Sequence, residues 1–317
     1  MRSENPQTAC IFAGCHGSVT EATYVGGIVP DDCPAMSVEN SVVPRLSFGV
    51  IADPQYADLP PNVGMGRYYA NSLQKLGEAI DRFNQEDLAF VITLGDLIDR
   101  DWAHFDTILP LYQNSRHECI FLPGNHDFAV APEHLAGVYA KLGMPAPYHD
   151  IARGGCRFII IDGSEISLFA PPVGDPRRAD AARRIEVMKV AGEANANPWN
   201  GGIGGTQQAW LSERLAQAKA AGETAIVLGH YPLYPPNDHN LWDDAAVAGL
   251  LAEAGTAAYL CGHNHAGNYG RLGSTHFVNF CGMVDTETEN TYAIVDVYSD
   301  RLEIRGFGRE PNRVLAL

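Results

Sequence analysis

Short apolar runs alternate with segments of helical period along most of this chain, and that alternation constrains the fold more than any other feature. Strands are expected at Leu46–Ala52, Leu88–Leu94, Cys119–Leu122, Cys156–Ile161, Ala225–Leu228 and Ala257–Cys261, each rich in β-branched or other apolar residues. Between the first two, Tyr69, Leu73, Leu76, Ile80 and Phe83 recur at alternating steps of four and three, the stripe of a helix packed on a sheet. Further helices are expected from about Gln207 to Ala220 and from about Asp243 to Ala254. After Thr275 only strands are expected, in THFVNFC, TYAIVDVYS and RLEIRGF, read as sequential antiparallel strands joined by short turns. The expected class is α/β, a layered sandwich of mixed β-sheets flanked by helices.

Residues 1–45 show no sustained period and are punctuated by Pro6, Gly14, Pro30 and Pro34, so an irregular N-terminal extension is expected before a single domain over 46–317. Cys10, Cys15, His16 and Cys33 match none of the usual structural zinc spacings and are read as part of that extension. Within the domain, 163–205 is the least regular stretch: a charged helical piece, DPRRADAARRIEVMKVAGEA, then NANPWNGGIGG. An insertion of this length is commonly functional, as a lid or wall of a site.

Composition removes several function classes. A net charge of -16 argues against a protein that tracks nucleic acid, because that affinity comes from lysine and arginine displacing counterions. It leaves anionic substrates open, since bound cations reverse the local field. No apolar run approaches the roughly 18 residues of a membrane span, and the N-terminus lacks the basic and apolar regions of a signal peptide. The seven cysteines are odd in number and scattered, with Cys119, Cys156, Cys261 and Cys281 in apolar runs. A cytoplasmic protein that engages neither membrane nor nucleic acid is expected. Its oligomeric state is open.

Five expected strands end in short polar clusters: Asp53-Pro54-Gln55, Gly95-Asp96 with Asp99, Gly124-Asn125-His126-Asp127, Gly229-His230 and Gly262-His263-Asn264-His265. In open α/β folds, side chains just beyond the carboxyl ends of strands converge in one crevice. Mixed carboxylate, amide and imidazole groups there suit manganese, iron or zinc rather than a thiolate-bound metal.

The ordered set resembles the calcineurin-like metallophosphoesterase superfamily, whose motifs run D-x-H, GD-x-x-D, GNH-D/E, GH and GH-x-H. The resemblance implies a metallophosphoesterase-type sandwich and two divalent ions, one surrounded by Asp53, Gln55, Asp96 and His265 and the other by Asp96, Asn125, His230 and His263. Two such ions roughly 3.5–4 Å apart polarise a phosphoryl oxygen and stabilise an in-line displacement. His126 is not needed as a ligand in that scheme. Beside Asp127, which would orient it or raise its basicity, it is the expected general acid. Gln55 stands where the motif carries histidine and would offer a carbonyl oxygen, a harder ligand that favours Mn2+ or Mg2+ over redox iron.

FGVIADPQYAD, RYYANSLQKLGEAI, WNGGIGGTQQAWL, GHYPLYP, GHNHAGNYG and GFGREPNRVL extend the likeness to the manganese-dependent ADP-ribose/CDP-alcohol diphosphatase family over roughly 46–317. Two departures stand out: DLPPNVGMGR is shorter than the family leads one to expect, and Asp127 stands where animal members more often carry glutamate. The resemblance implies hydrolysis of the diphosphate in ADP-ribose or in CDP-alcohols such as CDP-choline and CDP-glycerol, giving AMP or CMP and a phosphorylated partner. The partner is therefore a small-molecule nucleotide. Phe128, Tyr234, Trp242 and Tyr269 are candidates to stack on its base, and Arg67 to clamp a phosphate. A cyclic-nucleotide or glycerophosphodiester phosphodiesterase on the same core is the alternative, and a non-catalytic scaffold is a third reading.

Overall fold

In and just past the first strand, β1 (Leu46–Ile51), Phe48, Val50 and Ala52 face one apolar layer while Ile51 faces another, so the strand is buried on both sides. The computed structural model describes residues 43–317. The expected extension over 1–45, with Cys10, Cys15, His16 and Cys33, therefore lies outside the described residues except for its last three. From β1 the chain runs through α1 (Ser72–Phe83), β2 (Val91–Leu94), α2 (Ala103–Tyr112), β3 (Cys119–Leu122), a short α3 (Val138–Lys141), β4 (His149–Arg153) and β5 (Cys156–Ile160). It continues through α4 (Pro176–Ala191), α5 (Gly205–Ala220), β6 (Thr224–Leu228), α6 (Asp244–Ala254), β7 (Ala258–Cys261) and β8 (Asn268–Leu272). It closes with β9 (Thr275–Asn279), β10 (Thr291–Val297), β11 (Arg301–Gly308) and β12 (Arg313–Ala316).

The described strands form two six-stranded mixed sheets, ordered β12-β11-β10-β1-β2-β3 and β4-β5-β6-β7-β9-β8. Strands β1, β2 and β3 are parallel, as are β5, β6, β7 and β9, while β10, β4 and β8 join antiparallel. Phe48, Ile92, Leu94, Phe158, Ile226, Leu260 and Val278 share the apolar layer between the sheets. Leu76, Ile80, Phe83, Phe105 and Ile108 of α1 and α2 cover one outer face, and Leu211, Leu215, Val247 and Leu251 of α5 and α6 cover the other. The β1, β2, β3, β6 and β7 ends that carry the polar clusters are all carboxyl ends of parallel strands.

Two sequence expectations change. The strands after Thr275 are not one antiparallel run: β9 pairs parallel with β7, whereas β10 crosses to β1 in the other sheet. Both strands are almost wholly buried, on both faces, so no inside-outside alternation reveals which sheet each joins. Strands β4 and β8 and helix α2 were not expected, because β4 and β8 are polar edge strands (HDIAR, NYGRL) and α2 carries Pro110 in its last turn.

The helical piece of the insertion is α4, capped by the Asp175 side chain at one end and by Gly192 at φ 76° at the other. Its Ala181, Ile185 and Met188 pack with Ile166, Ala196 and Trp242 in a small cluster of their own. No helix of the described residues is long and apolar enough to cross a membrane.

Candidate metal centre

Asp53, Gln55, Asp96 and His263 adopt left-handed backbone angles, φ 49°, 45°, 52° and 70°, a conformation costly for non-glycine residues and concentrated at functional sites. The turns they form interlock. Gln55 N donates to Asp96 O at 2.7 Å, His263 N donates to both Asp53 oxygens at 3.1 Å, and His126 N donates to Asp96 Oδ1 at 2.8 Å. A Cβ on Gly95 would stand 2.4 Å from His230 Nδ1, and one on Gly124 would stand 2.2 Å from Asp96 Oδ1. The glycines of the GD and GN motifs are therefore demanded by close approach.

Side chains from both sheets meet here. His230 Nδ1 donates to Leu94 O at 2.8 Å, which leaves Nε2 facing Asp96 Oδ2 at 3.4 Å and Asn125 Oδ1 at 3.3 Å. His265 Nδ1 lies 2.9 Å from Asp285 Oδ1, with Nε2 directed to Asp53 Oδ1 at 3.8 Å. Among the described residues two groups bring one ligand atom each to within 4.8 Å of one another: Asp96, His230 and His263, and Asp53, Asp96 and His265. Asp96 belongs to both.

Two further atoms fit a cation. Gln55 Oε1 and Asp96 Oδ2 are buried and accept no hydrogen bond. Leaving a buried acceptor unmatched costs about 1–3 kcal/mol, which a positive charge in the pocket would offset. The protonation pattern agrees. Burial pushes the Asp53 carboxyl up, whereas burial of Asp96 is outweighed by His230 and His126, which hold it well below the usual carboxylate range. Burial disfavours charge on His230, yet Asp96 and Asp53 raise it to about 9. Burial, then His230, push His263 well below its ordinary value. The pocket thus favours positive charge beside its carboxylates, which a metal cation held there would supply in place of a proton.

The pairing expected for His126 is different in the structure. Asp127 is turned away: it accepts from Leu97 N and Ile98 N at 2.9 and 3.2 Å and from Gly124 N at 2.9 Å, bracing the two turns. The carboxylate at His126 is Asp99, with Oδ1 2.5 Å from Nδ1. Burial opposes charge on His126, but Asp96 and Asp99 raise its pKa overall.

The base-stacking candidates also change. The cleft over the cluster, of about 350 Å³, is lined by Met65, Arg67, Asp96, Asn125, His126, Trp199, His239, His263 and His265. Arg67 is among the candidates that line it. Phe128 is in the core beside Tyr139, Trp242 packs under α4, Tyr234 lies against Phe277, and Tyr269 on β8 bonds through its hydroxyl to His276 on β9. Nearness in sequence to a ligand motif did not bring these rings to the cleft, because each is taken up by packing or a hydrogen bond elsewhere. The exposed indole in the cleft is Trp199, 43 % accessible, from the insertion. Asp99, Trp199, His239 and Asp285 were not singled out as site residues. WNGG was the available signal for Trp199, and the second aspartate of GD-x-x-D for Asp99; Asp285 carries none. Arg309 of the terminal GREPNRVL reaches Gly282 O at 2.7 Å and Asp285 Oδ2 at 3.5 Å, tying the C-terminal segment to the loop behind His265.

Residues 46–267 match a family model described as calcineurin-like phosphoesterase. The chain is 27% identical to the manganese-dependent ADP-ribose/CDP-alcohol diphosphatase of Homo sapiens, over 90% of this chain and 97% of that protein. It is 28% identical to the Arabidopsis thaliana protein of the same name, over 84% and 95%. A crystal structure described as a dimetal phosphatase from Danio rerio has the same fold, with a TM-score of 0.76 at 22% identity over 86% of this chain and 99% of that one. The matched stretch carries all five polar clusters, and the chain belongs to the calcineurin-like phosphoesterase family.

Proposed function

We propose that this metallophosphoesterase hydrolyses the diphosphate bridge of ADP-ribose or of CDP-alcohols such as CDP-choline and CDP-glycerol, with two divalent cations, Mn2+ foremost. Asp53, Gln55, Asp96 and His265 would hold one cation, and Asp96, Asn125, His230 and His263 the other. Such cations supply Lewis acidity and charge neutralisation at the phosphorus centre. The chain's own groups do the rest. The Asp99 carboxylate orients His126 through Nδ1, so that Nε2 presents a proton to the departing oxygen. Arg67 offers a second phosphate its counter-charge, and the Trp199 indole offers a face to the base.

The observation that carries this reading is the union in one cleft of the ligand cluster, one arginine and one exposed indole, which matches a diphosphate joined to a nucleoside. The names of the relatives that cover most of the chain support it. A panel assay on the purified protein with Mn2+ and Mg2+ tests it. ADP-ribose, CDP-choline and CDP-glycerol are expected to exceed p-nitrophenyl phosphate and 3′,5′-cyclic AMP in kcat/KM, with AMP or CMP as product. A higher value for 3′,5′-cyclic AMP or a glycerophosphodiester would replace the substrate assignment with the phosphodiesterase alternative.

A further inference from the structure

Asn200 lies near the end of the insertion, beside the exposed Trp199, and is itself fully buried. Its amide nitrogen donates to Asn195 O at 3.0 Å and to Asp238 O at 2.8 Å. Both acceptors are carbonyls, so the amide has one tenable orientation, with both hydrogens committed. Oδ1 is then the atom that faces His263 Nε2, at 2.9 Å. A carbonyl oxygen only accepts, so Nε2 must carry the imidazole hydrogen, and Nδ1 is left as the ring's one lone pair.

We propose that Asn200 is a positioning residue for the metal centre: it selects the Nε2–H tautomer of His263, fixes the ring plane and thereby aims Nδ1 at the Asp96 and His230 group. This rests on the reading of that group as a cation site. The outer partner of a metal-bound histidine commonly sets which nitrogen binds, and its loss costs about 10–100-fold in affinity. The same amide joins the centre to the cleft rim. Asp238, which takes one of its hydrogens, precedes His239, and both His239 and Trp199 line the cleft. The insertion therefore contributes to holding a ligand of the β7 end as well as walling the cleft.

Two measurements test this. Long-range 1H–15N correlation of the histidine rings in metal-free protein reads the tautomer directly, and His263 is expected as Nε2–H. Calorimetric titration with Mn2+ is expected to show one of two binding steps weakened about 10–100-fold in Asn200→Leu, with the other unchanged. Asn197→Ala serves as the control. It removes a neighbouring tie, Asn197 Nδ2 to Asp238 O at 2.9 Å, without touching His263, and both steps should persist. An Nδ1–H tautomer in the wild type, unchanged Mn2+ affinities in Asn200→Leu, or an equal loss in Asn197→Ala would each overturn the assignment. Should Asn200→Leu fail to fold, the wild-type tautomer still decides. A wild type that binds fewer than two Mn2+ would instead count against the dimetal reading, while the metal-free spectrum continues to judge Asn200.

Discussion

Asp99 Oδ1, on the loop after β2, lies 2.5 Å from Nδ1 of His126, on the loop after β3, while the sequence neighbour Asp127 spends both oxygens on backbone N–H groups. Two aspartates thus divide the labour, one on the imidazole and one on the scaffold. His126→Ala is expected to lose roughly 10²–10⁴ in kcat with metal content intact. Asp99→Asn should lose a smaller part of that, about 10-fold to 10²-fold, because the ring keeps its place but loses its charged partner. Asp127→Asn should lower the urea midpoint more than it lowers kcat. Steady-state kinetics, metal analysis and urea denaturation on the three variants check this. A larger kcat loss in Asp127→Asn than in Asp99→Asn would reverse the roles.

Asp96 contributes to both groups of ligand atoms and has an unmatched buried oxygen. Asp96→Asn should abolish turnover and reduce bound Mn2+, measured by elemental analysis after desalting. Full metal content in that variant would separate Asp96 from the centre.

Gln55 Oε1 is buried and unpartnered, while Nε2 lies 2.9 Å from His126 Nδ1. Gln55→His exchanges an oxygen for a nitrogen donor, so the variant should accept Zn2+ or Fe2+ more readily and depend less on Mn2+. An unchanged activation profile across Mn2+, Mg2+, Zn2+ and Fe2+ would place this side chain off the metals.

Trp199 offers an exposed ring at the cleft, whereas Tyr269, equally accessible at 41 %, is engaged with His276 outside the cleft lining. Stacking on a base contributes about 1–3 kcal/mol, so Trp199→Ala should raise KM for ADP-ribose by roughly 5- to 150-fold and leave p-nitrophenyl phosphate hydrolysis nearly unchanged. Tyr269→Ala should change neither. Equal effects of Trp199→Ala on both substrates would assign the indole to the fold instead.

Asp162, just past β5, is buried, and burial raises its carboxyl to about 7 despite hydrogen bonds from Tyr139 and Ser164. The folded protein therefore holds this proton more tightly than the unfolded chain. The resulting stability is fully present below the unfolded value near 4 and is lost as pH rises toward 7, at up to about 1.4 kcal/mol per pH unit. Asp162→Asn should flatten that decline, read as the difference in urea midpoint between pH 5 and pH 8 with EDTA present. Parallel pH profiles for wild type and variant would refute it.

Much of the site is legible in the sequence, for a physical reason. A ligand at the end of a parallel strand is tied to a local signature: an apolar run, a glycine that admits close approach, then the polar atom. Asp96, Asn125, His230 and His263 all carry it, and Asp53 follows its apolar run directly, without the glycine. Helices α1, α5 and α6 were equally readable, because the apolar spacing of a helix is local.

What holds those ligands in place was not local. Asp285 reaches His265 from 20 residues away with no motif to mark it, and Asn200 reaches His263 from 63, its WNGG motif giving no sign of that partner. Strands β9 and β10 are buried on both faces, so no alternation along them marks their division between two sheets. The sequence by itself determined which atoms stand at the strand ends, because strand, glycine turn and ligand are neighbours along the chain. Only the tertiary structure decided which carboxylate orients His126, which ring faces the cleft and which amide aims His263, because each depends on where distant turns pack and which way a buried side chain can satisfy its hydrogen bonds.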